Sequence, residues 1–478
     1  MSYELVLGLE IHIQSKTKSK MFCACSTDYF GKEPNTYTCP VCLGLPGALP
    51  VPNKKAIDLC MKLGLALNCS INQETKFDRK NYFYTDLPKG YQISQYDQPL
   101  CYEGHIDLEI DGENHRIGIT RVHQEEDTGK SSYAGGRTFL DYNKSGVPLI
   151  EVVTEADFRS IDEVLEFANQ LRLLVRYLGV SDADMEKGQM RFEPNISLRR
   201  KGYAKLPPYK VEVKNIGSIS VLENVIRGEI ERQSEILDKG ETPVQETRGL
   251  VDMTGETVSQ RAKETEADYR YFPEPDIPPI VFTKEDIENV RKELPKRSPY
   301  ELRSYYLDEI GLSPKDADFF VNDLEVSSLF NKLVDGKESD KKYIDSIVSL
   351  IKTLHSVIIE NSIDRNFSDL DPGFIKMVIE EPPPGHLLKE LLKVKIETYW
   401  EKDLSPNEIL QKEGLESVSD ANELSEFADK VISANPKAVS DYKNNPNAIM
   451  FLVGQVMSQM NGKADPNIVK KILEGKLK

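Results

Sequence analysis

The sequence predicts an α+β first half followed by an all-α remainder. Three observations carry this: Val-, Ile- and Tyr-rich runs between turn residues up to about Phe282, two capped helical repeats among them, and a change to helix-forming composition from Thr283 onward. The strand runs are Leu5–Ile13, Ile106–Ile110, Arg116–Arg121, Leu149–Val153 and Tyr209–Val213, with Gly, Asn or Asp between them. Ahead of the last run, Ser160 and Glu163 form a capping box. Val164, Leu165, Ala168, Leu171, Leu174, Val175 and Leu178 then recur at helical spacing until Gly179 supplies a left-handed terminator. A second box, Ser220 with Glu223, opens a run through Ile226, Ile230 and Leu237 that stops at Gly240. Each helix should lay one apolar stripe on a sheet. The segment Phe272–Ile280 holds four prolines in nine residues. Proline fixes φ and lacks an amide donor, so neither a helix interior nor a central strand runs through it, and the first domain is expected to end there. Beyond it, 284–310, 314–335 and 341–359 carry apolar residues at helical intervals, and EPPPGH at Glu381–His386 is another break.

At 478 residues the chain has room for roughly two to four domains with cores of their own. Lys and Arg total 61 against 78 Asp and Glu, a formal charge of -17, which excludes a polybasic binder but not a local basic face. Such a face is expected at the end: Lys430, Lys437, Lys443, Lys463, Lys470, Lys471, Lys476 and Lys478 stand against Asp441, Asp465 and Glu474 alone. The opening MSYELVLGLEIHIQ has no basic n-region or apolar core, and no run reaches the ~18 apolar residues that a membrane span needs. Seven thinly spread cysteines suit a reducing compartment. A soluble, unexported, cytoplasmic protein is expected.

Four of those cysteines, Cys23, Cys25, Cys39 and Cys42, form C-x-C-x13-C-x2-C, the second pair in the turn CPVCLG. Four thiolates so spaced suit tetrahedral Zn²⁺ with no vacancy for water, a structural site. Cys60, Cys69 and Cys101 read as core or surface thiols. Glu10 and His12 lie two apart in a strand, so both side chains share one face, opposite Leu9, Ile11 and Ile13. A solvent-facing pair and a metal-binding pair both fit that pattern. In RVHQEEDTGK, Glu125, Glu126 and Asp127 follow His123; three adjacent carboxylates need solvent, a cation or basic partners. If 121–127 is extended, Glu125 shares a face with His123 and Asp127 while Glu126 points away, so both glutamates coordinate one ion only across a bulge. The neighbouring DTGKSS lacks the upstream glycine of a phosphate-binding loop. Basic side chains for phosphates are instead scattered: Arg79, Lys80 and Lys89 among the tyrosines and amides of Phe77–Pro99, a half-buried hairpin or a ligand wall, with Arg191, Lys210 and Lys214 further on.

Taken together, GLEIHIQ (8–14), FDRKNYFYTDLPKGYQISQYDQP (77–99), RVHQEEDTGK (121–130), DYNKSGVPLIEVVTEADF (141–158), EVKNIGSIS (212–220), ADYRYFPEPDIPP (267–279) and the tail segments of 435–466 closely resemble the B subunits of the bacterial aspartyl/glutamyl-tRNA amidotransferases, in order and over nearly the whole chain. The resemblance implies three parts: a mostly antiparallel β cradle domain with helices and the four-Cys zinc site (1–293), an all-α helical domain (294–404) and a small, basic, α-helical tRNA-binding tail (405–478). It implies Glu10, His12, Glu125 or Glu126, and Glu151 around Mg²⁺, with Mn²⁺ open because a His ligand is unusual for Mg²⁺. It also implies partners: the amidase and the small stabilising chain of the same three-subunit complex, and tRNA(Gln), tRNA(Asn) or both, with no membrane. At MRFEPNISLR (190–199) the chain departs from the family's Asp-Val-Asn, with Glu193-Pro194-Asn195 in its place.

The chemistry follows from the substrate. A carboxylate is a poor acceptor for ammonia, so ATP would first convert the side chain of Glu-tRNA(Gln) or Asp-tRNA(Asn) to an acyl phosphate, with Arg79, Lys80, Lys89, Arg191 or Lys214 and the cation neutralising the phosphates. The chain lacks the Gly-Gly-Ser-Ser and Lys constellation of an amidase, so ammonia must come from a partner. A non-catalytic tRNA-docking scaffold is the alternative. The archaeal relative, specific for Glu-tRNA, usually carries a large insertion for which 478 residues leave little room.

Overall fold

The computed structural model describes the chain except residues 1–2, 252–254, 263–265, 364–366, 368–369, 401, 416–420, 443–444, 461–463 and 478. Of the tail lysines, Lys443, Lys463 and Lys478 thus lie outside the described residues. The chain divides into two compact units, Met1–Tyr300 and Glu301–Lys478.

The first unit holds strands β1 (Tyr3–Gln14), β2 (Ser70–Ile71), β3 (Glu74–Thr75), β4 (Asp78–Asn81), β5 (Tyr91–Ser94), β6 (Cys101–Ile110), β7 (Glu113–Glu126), β8 (Lys130–Ala134), β9 (Arg137–Asp141), β10 (Pro148–Thr154), β11 (Met190–Arg200), β12 (Val211–Val213), β13 (Glu246–Leu250), β14 (Thr257–Ala262), β15 (Phe272–Pro273) and β16 (Ile280–Val281). Its helices are α1 (Lys54–Ala66), α2 (Ile161–Tyr177), α3 (Ile219–Asp238) and α4 (Lys284–Lys292). Nine strands form one sheet in the order β14-β13-β12-β11-β1-β10-β7-β6-β2. Every pairing in it is antiparallel except β12 with β13, and α3 supplies the long crossover that a parallel pair requires.

Alternation along β1 sets the two faces of this sheet. Leu5, Leu7, Leu9, Ile11 and Ile13 are buried in one core with Leu59 and Leu63 of α1, Phe167 and Leu171 of α2, and Val221 and Val225 of α3. Each such large side chain gains about 1.5–3 kcal/mol by leaving water. Glu10 and His12 point the other way. Helix α2 begins as the sequence indicates: the Ser160 hydroxyl accepts from the Glu163 amide, the Glu163 carboxylate accepts from the Ser160 amide, and Gly179 has φ +65. Helix α3 begins earlier than expected. Its cap is Ser218, whose hydroxyl accepts from the Val221 amide, and Ser220 lies inside the first turn. An extended Ser218, φ −155 and ψ 151, has the geometry a cap needs.

Pro194 lies within a central strand, where it would be expected to break a ladder. It sits opposite Leu9, whose own amide turns away to the Thr154 hydroxyl at 2.9 Å, so the two form a non-hydrogen-bonded pair and the missing donor costs no bond to β1. The proline-rich segment 272–280 closes onto the first unit through its ends, β15 on β4 and β16 on β3, and the unit continues through α4.

Among its described residues the second unit has helices and no strand: α5 (Pro299–Asp308), α6 (Pro314–Asn322), α7 (Leu324–Val334), α8 (Lys341–Glu360), α9 (Pro372–Glu380), α10 (Leu388–Thr398), α11 (Pro406–Lys412), α12 (Ala421–Ala434), α13 (Pro436–Tyr442), α14 (Ile449–Gln459) and α15 (Pro466–Lys476). The apolar run 314–335 is two helices because Asp323 leaves the helical region and accepts from the Glu325 and Val326 amides. Leu424, Val431, Leu452, Val456 and Leu473 gather the last helices around a core of their own. No helix among the described residues is long and apolar enough to cross a membrane.

Moving the start of α3 to Ser218 gives a direct check. In denaturant unfolding, Ser218→Ala should cost about 1 kcal/mol, the usual loss for a cap, whereas Ser220→Ala should leave stability unchanged or slightly raised.

Candidate active site

The face of the sheet opposite α1, α2 and α3 carries a cluster of titratable side chains. Antiparallel register lines up Arg191 of β11, His12 of β1, Glu151 of β10 and His123 of β7 in one row, and Glu193, Glu10, Val153 and Arg121 in the next. Glu212 of β12 and Lys214 just beyond it extend this face. Tyr82, Tyr269 and Tyr271 complete a cavity of about 780 Å³ over the rows. This volume falls within the range of small-molecule sites, though the lining is far more charged than most.

Two groups of potential metal ligands stand in this cavity. In the first, one ligand atom each from His12, Glu125 and Glu151 lies within 4.8 Å of the others; in the second, the same holds for Glu10, Glu193 and Glu212. The expected set around one ion is therefore divided. Residues two apart on a strand are separated by about 6.7 Å, so His12 meets Glu151 beside it on β10, 3.4 Å away, while Glu10 meets the acids of β11 and β12.

Glu126 belongs to neither group. Strand β7 pairs with β10 without a bulge from Val122 to Glu126, so alternation turns Glu126 to the opposite face, where its carboxylate accepts from the Ile93 amide at 3.0 Å and pairs with Lys89 at 2.5 Å. Lys89 is thereby removed from the phosphate candidates and lines a separate, small cavity beside Cys42. Arg79 is removed as well: it makes a two-bond fork to the Glu274 carboxylate at 2.7 and 2.8 Å and lies over the Tyr91 ring. Lys80, its neighbour on β4, points oppositely into the cavity, beside Glu125 and 5.1 Å from the Tyr269 ring centre. Arg191 and Lys214 also line the cavity, and Arg121 joins them without having been singled out in the sequence. The signal for Arg121 was available only through alternation, two residues before His123.

Hydrogen bonds fix these groups. Glu125 accepts from Gln92 at 3.0 Å and from Ser94 at 2.6 Å, both on β5, so the β4–β5 hairpin positions it. Asp127 accepts from Gln14 at 2.7 Å and pairs with Lys144 at 2.9 Å; burial opposes its ionisation, yet Lys144 and Arg191 hold its pKa down at about 2. Burial likewise opposes charge on Glu193, but Lys214, 2.9 Å away, and His12 hold its pKa at about 2. Glu151 stays well below the carboxylate range against burial because His123, His12 and Lys80 surround it. Burial disfavours protonation of His12, but Glu193 and Glu151 outweigh it and raise its pKa. Lys80 is raised well above the lysine range, against burial, chiefly by Glu125.

The lining carries seven carboxylates against five Lys and Arg side chains among the described residues. A polyphosphate would therefore meet net repulsion unless divalent cations entered with it. His12 Nδ1, His123 Nδ1, Arg121 Nε and Arg191 Nε are buried with no hydrogen-bond partner, an arrangement that buried polar groups avoid unless a ligand completes it. Apart from the cavity, the Sγ atoms of Cys23, Cys25, Cys39 and Cys42 lie within 4.8 Å of one another, a four-thiol group able to hold a metal ion. The Cys42 thiol is lowered to about 4, first by a hydrogen bond from Cys23, and the buried Lys20 ammonium stands 3.7 Å from its sulfur.

Residues 5–288 match the family model described as the GatB/GatE catalytic domain, and residues 328–477 match the GatB domain. The chain is 44% identical over 479 residues to the B subunit of the aspartyl/glutamyl-tRNA(Asn/Gln) amidotransferase of Persephonella marina, covering 100% of both chains. It is 41% identical over 484 residues to the protein of that name from Carboxydothermus hydrogenoformans, covering 99% of each.

The Glu193–Lys214 pair has a pH signature. A carboxylate whose folded pKa is depressed contributes stability above its unfolded value, and that stability is lost as pH falls from about 4.5 towards 2. Urea-unfolding midpoints measured downward through this window should fall less steeply for Glu193→Gln than for the wild-type chain.

Proposed function

The chain belongs to the family of aspartyl/glutamyl-tRNA(Asn/Gln) amidotransferase B subunits, and from that membership we propose that it activates the side-chain carboxylate of Glu-tRNA(Gln), Asp-tRNA(Asn) or both with ATP and amidates it with ammonia from a partner amidase. One observation carries this reading: one cavity over a single sheet face gathers two groups of metal-ligand residues and five basic side chains. The small stabilising chain of the complex is the other expected protein partner.

The γ-phosphoryl group passes to a carboxylate oxygen of the charged tRNA, ADP leaves, and the acyl phosphate so formed has a leaving group that the free carboxylate lacks. Ammonia then attacks the carbonyl carbon and phosphate departs. Divalent cations, Mg²⁺ or Mn²⁺, held by His12, Glu125 and Glu151 and by Glu10, Glu193 and Glu212, would neutralise the polyphosphate. Lys80 and Lys214 are held charged, so they act as fixed positive donors and not as proton acceptors. Arg121 and Arg191 offer the buried, unpaired Nε atoms that planar phosphate recognition uses. Glu151, firmly ionised, suits a ligand and not an acid.

The four-thiol group fits Zn²⁺ in a structural role. Zn–S bonds of about 2.3 Å at tetrahedral angles put sulfurs about 3.8 Å apart, and Cys39 and Cys42 sulfurs stand 3.8 Å apart. The helices of 405–478 make a third domain in this reading, one that holds tRNA. Lys430, Lys437, Lys470, Lys471 and Lys476 lie exposed there.

Three outcomes test the proposal. With the partner chains, ATP, glutamine and each misacylated tRNA, Glu151→Gln should abolish amidated product while leaving tRNA affinity unchanged; if ATP cleavage persists at the wild-type rate, the chain is a docking scaffold. Metal analysis of the purified chain should find one zinc, lost in Cys39→Ser together with thermal stability. Reversing Lys470 and Lys471 to Glu should weaken tRNA binding at low salt, with the difference shrinking as salt rises.

A further inference from the structure

A lysine almost never leaves the surface altogether unless its charge is answered, yet Lys20 is 0% exposed. Its ammonium donates to the Tyr37 carbonyl at 2.8 Å, to the Tyr142 carbonyl at 3.3 Å and to the Cys42 sulfur at 3.7 Å. Among the described residues none of these partners is a carboxylate. Carbonyls satisfy its N–H groups but supply no counter-charge, and an ammonium left without one in the interior is costly. Four thiolates around one divalent ion carry two net negative charges, and the Cys42 sulfur brings them within reach of Lys20.

The two carbonyls belong to different parts of the chain. Tyr37 lies in the loop between the two cysteine pairs, and Tyr142 opens the turn 142–147 that leads into β10. Loop and turn are bonded to each other: the Tyr37 amide donates to the Asn143 side-chain oxygen at 2.7 Å, and the Ser145 hydroxyl donates to the Cys42 carbonyl at 3.3 Å. Gly146, at φ +84, packs so closely that a Cβ there would stand 3.5 Å from Cys42 Cβ and 3.6 Å from Lys20 Cδ. On its other side the same turn holds Asp127. The Gly146 amide donates to the Asp127 carbonyl at 2.9 Å, the Asp127 amide donates to the Val147 carbonyl at 2.8 Å, and Lys144 pairs with the Asp127 carboxylate at 2.9 Å. Asp127 lines the large cavity and holds Arg191, 3.3 Å away.

We propose that Lys20 is a positioning residue that couples the four-thiol group to the large cavity, its ammonium balancing the metal–thiolate charge on one side and fixing the Tyr142 carbonyl on the other. The inference rests on the reading of the four thiols as a structural zinc site and goes beyond it, because that site then serves the cavity as well as its own loop. With the metal bound, Lys20 has its counter-charge and the turn is held. Asp127 then holds Arg191, whose Nε is buried with no partner of its own. Without the metal a buried cation loses its answer, and the turn, Lys144 and Asp127 relax together.

Two substitutions, measured singly and together in the assembled enzyme, test this. Lys20→Met keeps most of the bulk and removes the charge; Cys39→Ser removes a metal ligand. Zinc should pass to a chromogenic chelator about tenfold faster from Lys20→Met than from the wild type, the usual scale for a group that supports a metal ligand. Each single variant should weaken calorimetric binding of inorganic tripolyphosphate with Mg²⁺ by about threefold or more, and the double variant should bind no worse than the weaker single, because both break one chain of contacts. Losses that multiply, or tripolyphosphate bound by both singles as the wild type binds it, overturn the coupling. Zinc released from Lys20→Met at the wild-type rate overturns it as well and leaves the zinc reading intact. If Lys20→Met does not assemble, Lys20→Gln, neutral but able to donate to a carbonyl, is held to the same outcomes. Should the wild-type enzyme carry no zinc or bind no tripolyphosphate, the reading beneath the inference falls and the inference falls with it.

Discussion

Antiparallel register between the central strand and its two neighbours is the constraint on which the rest of this structure depends. Strand β1 pairs with β11 from Tyr3 to Ile13 and with β10 from Glu10 to Gln14, and each pairing fixes which side chains stand abreast. A slip of one residue would turn Glu10 and His12 into the apolar core and Leu9 and Ile11 into the cavity. The cost of burying a carboxylate among leucines is what forbids the slip, so the hydrophobic core on one face enforces the alignment of acids and imidazoles on the other. Helices α1, α2 and α3 thereby serve the site without contributing a side chain to it.

The resulting cavity is an electrostatic compromise. Buried carboxylates repel one another, but Lys80 stands near Glu125, Lys144 and Arg191 near Asp127, and Lys214 near Glu193, while His123, His12 and Lys80 surround Glu151. That distribution explains why Glu125, Asp127, Glu151 and Glu193 remain ionised despite burial. For the polyphosphate of the proposed reaction, divalent cations would bring the attraction that the surplus of acids would otherwise deny.

Much of this was legible in the sequence, and where it was not the cause is specific. The Ser160–Glu163 box and Gly179 fixed α2 because a cap is a local matter of three or four residues. Two serines two residues apart offered the start of α3 equally, and only the extended backbone at Ser218 decided between them. The four cysteines were legible because their close pairs lie within one short loop. Arg79, Lys80 and Lys89 were indistinguishable as basic residues in one tyrosine-rich stretch. Glu274, almost two hundred residues later, claims the first, the cavity takes the second, and Glu126 takes the third.

By itself, the sequence determined the α+β first half, the helical remainder, the alternation that pairs Glu10 with His12, and the residue types that suit a hard cation and a four-thiol metal site. These are properties of period, spacing and side-chain chemistry, all written within a few residues. Only the tertiary structure decided that the acids form two groups, that Glu126 faces away, that Glu193 and Glu212 stand beside Glu10, and that Arg121 shares their cavity. Those facts depend on which strand lies beside which, and that choice is made by long-range pairing between segments far apart in the chain, where no local pattern carries the information.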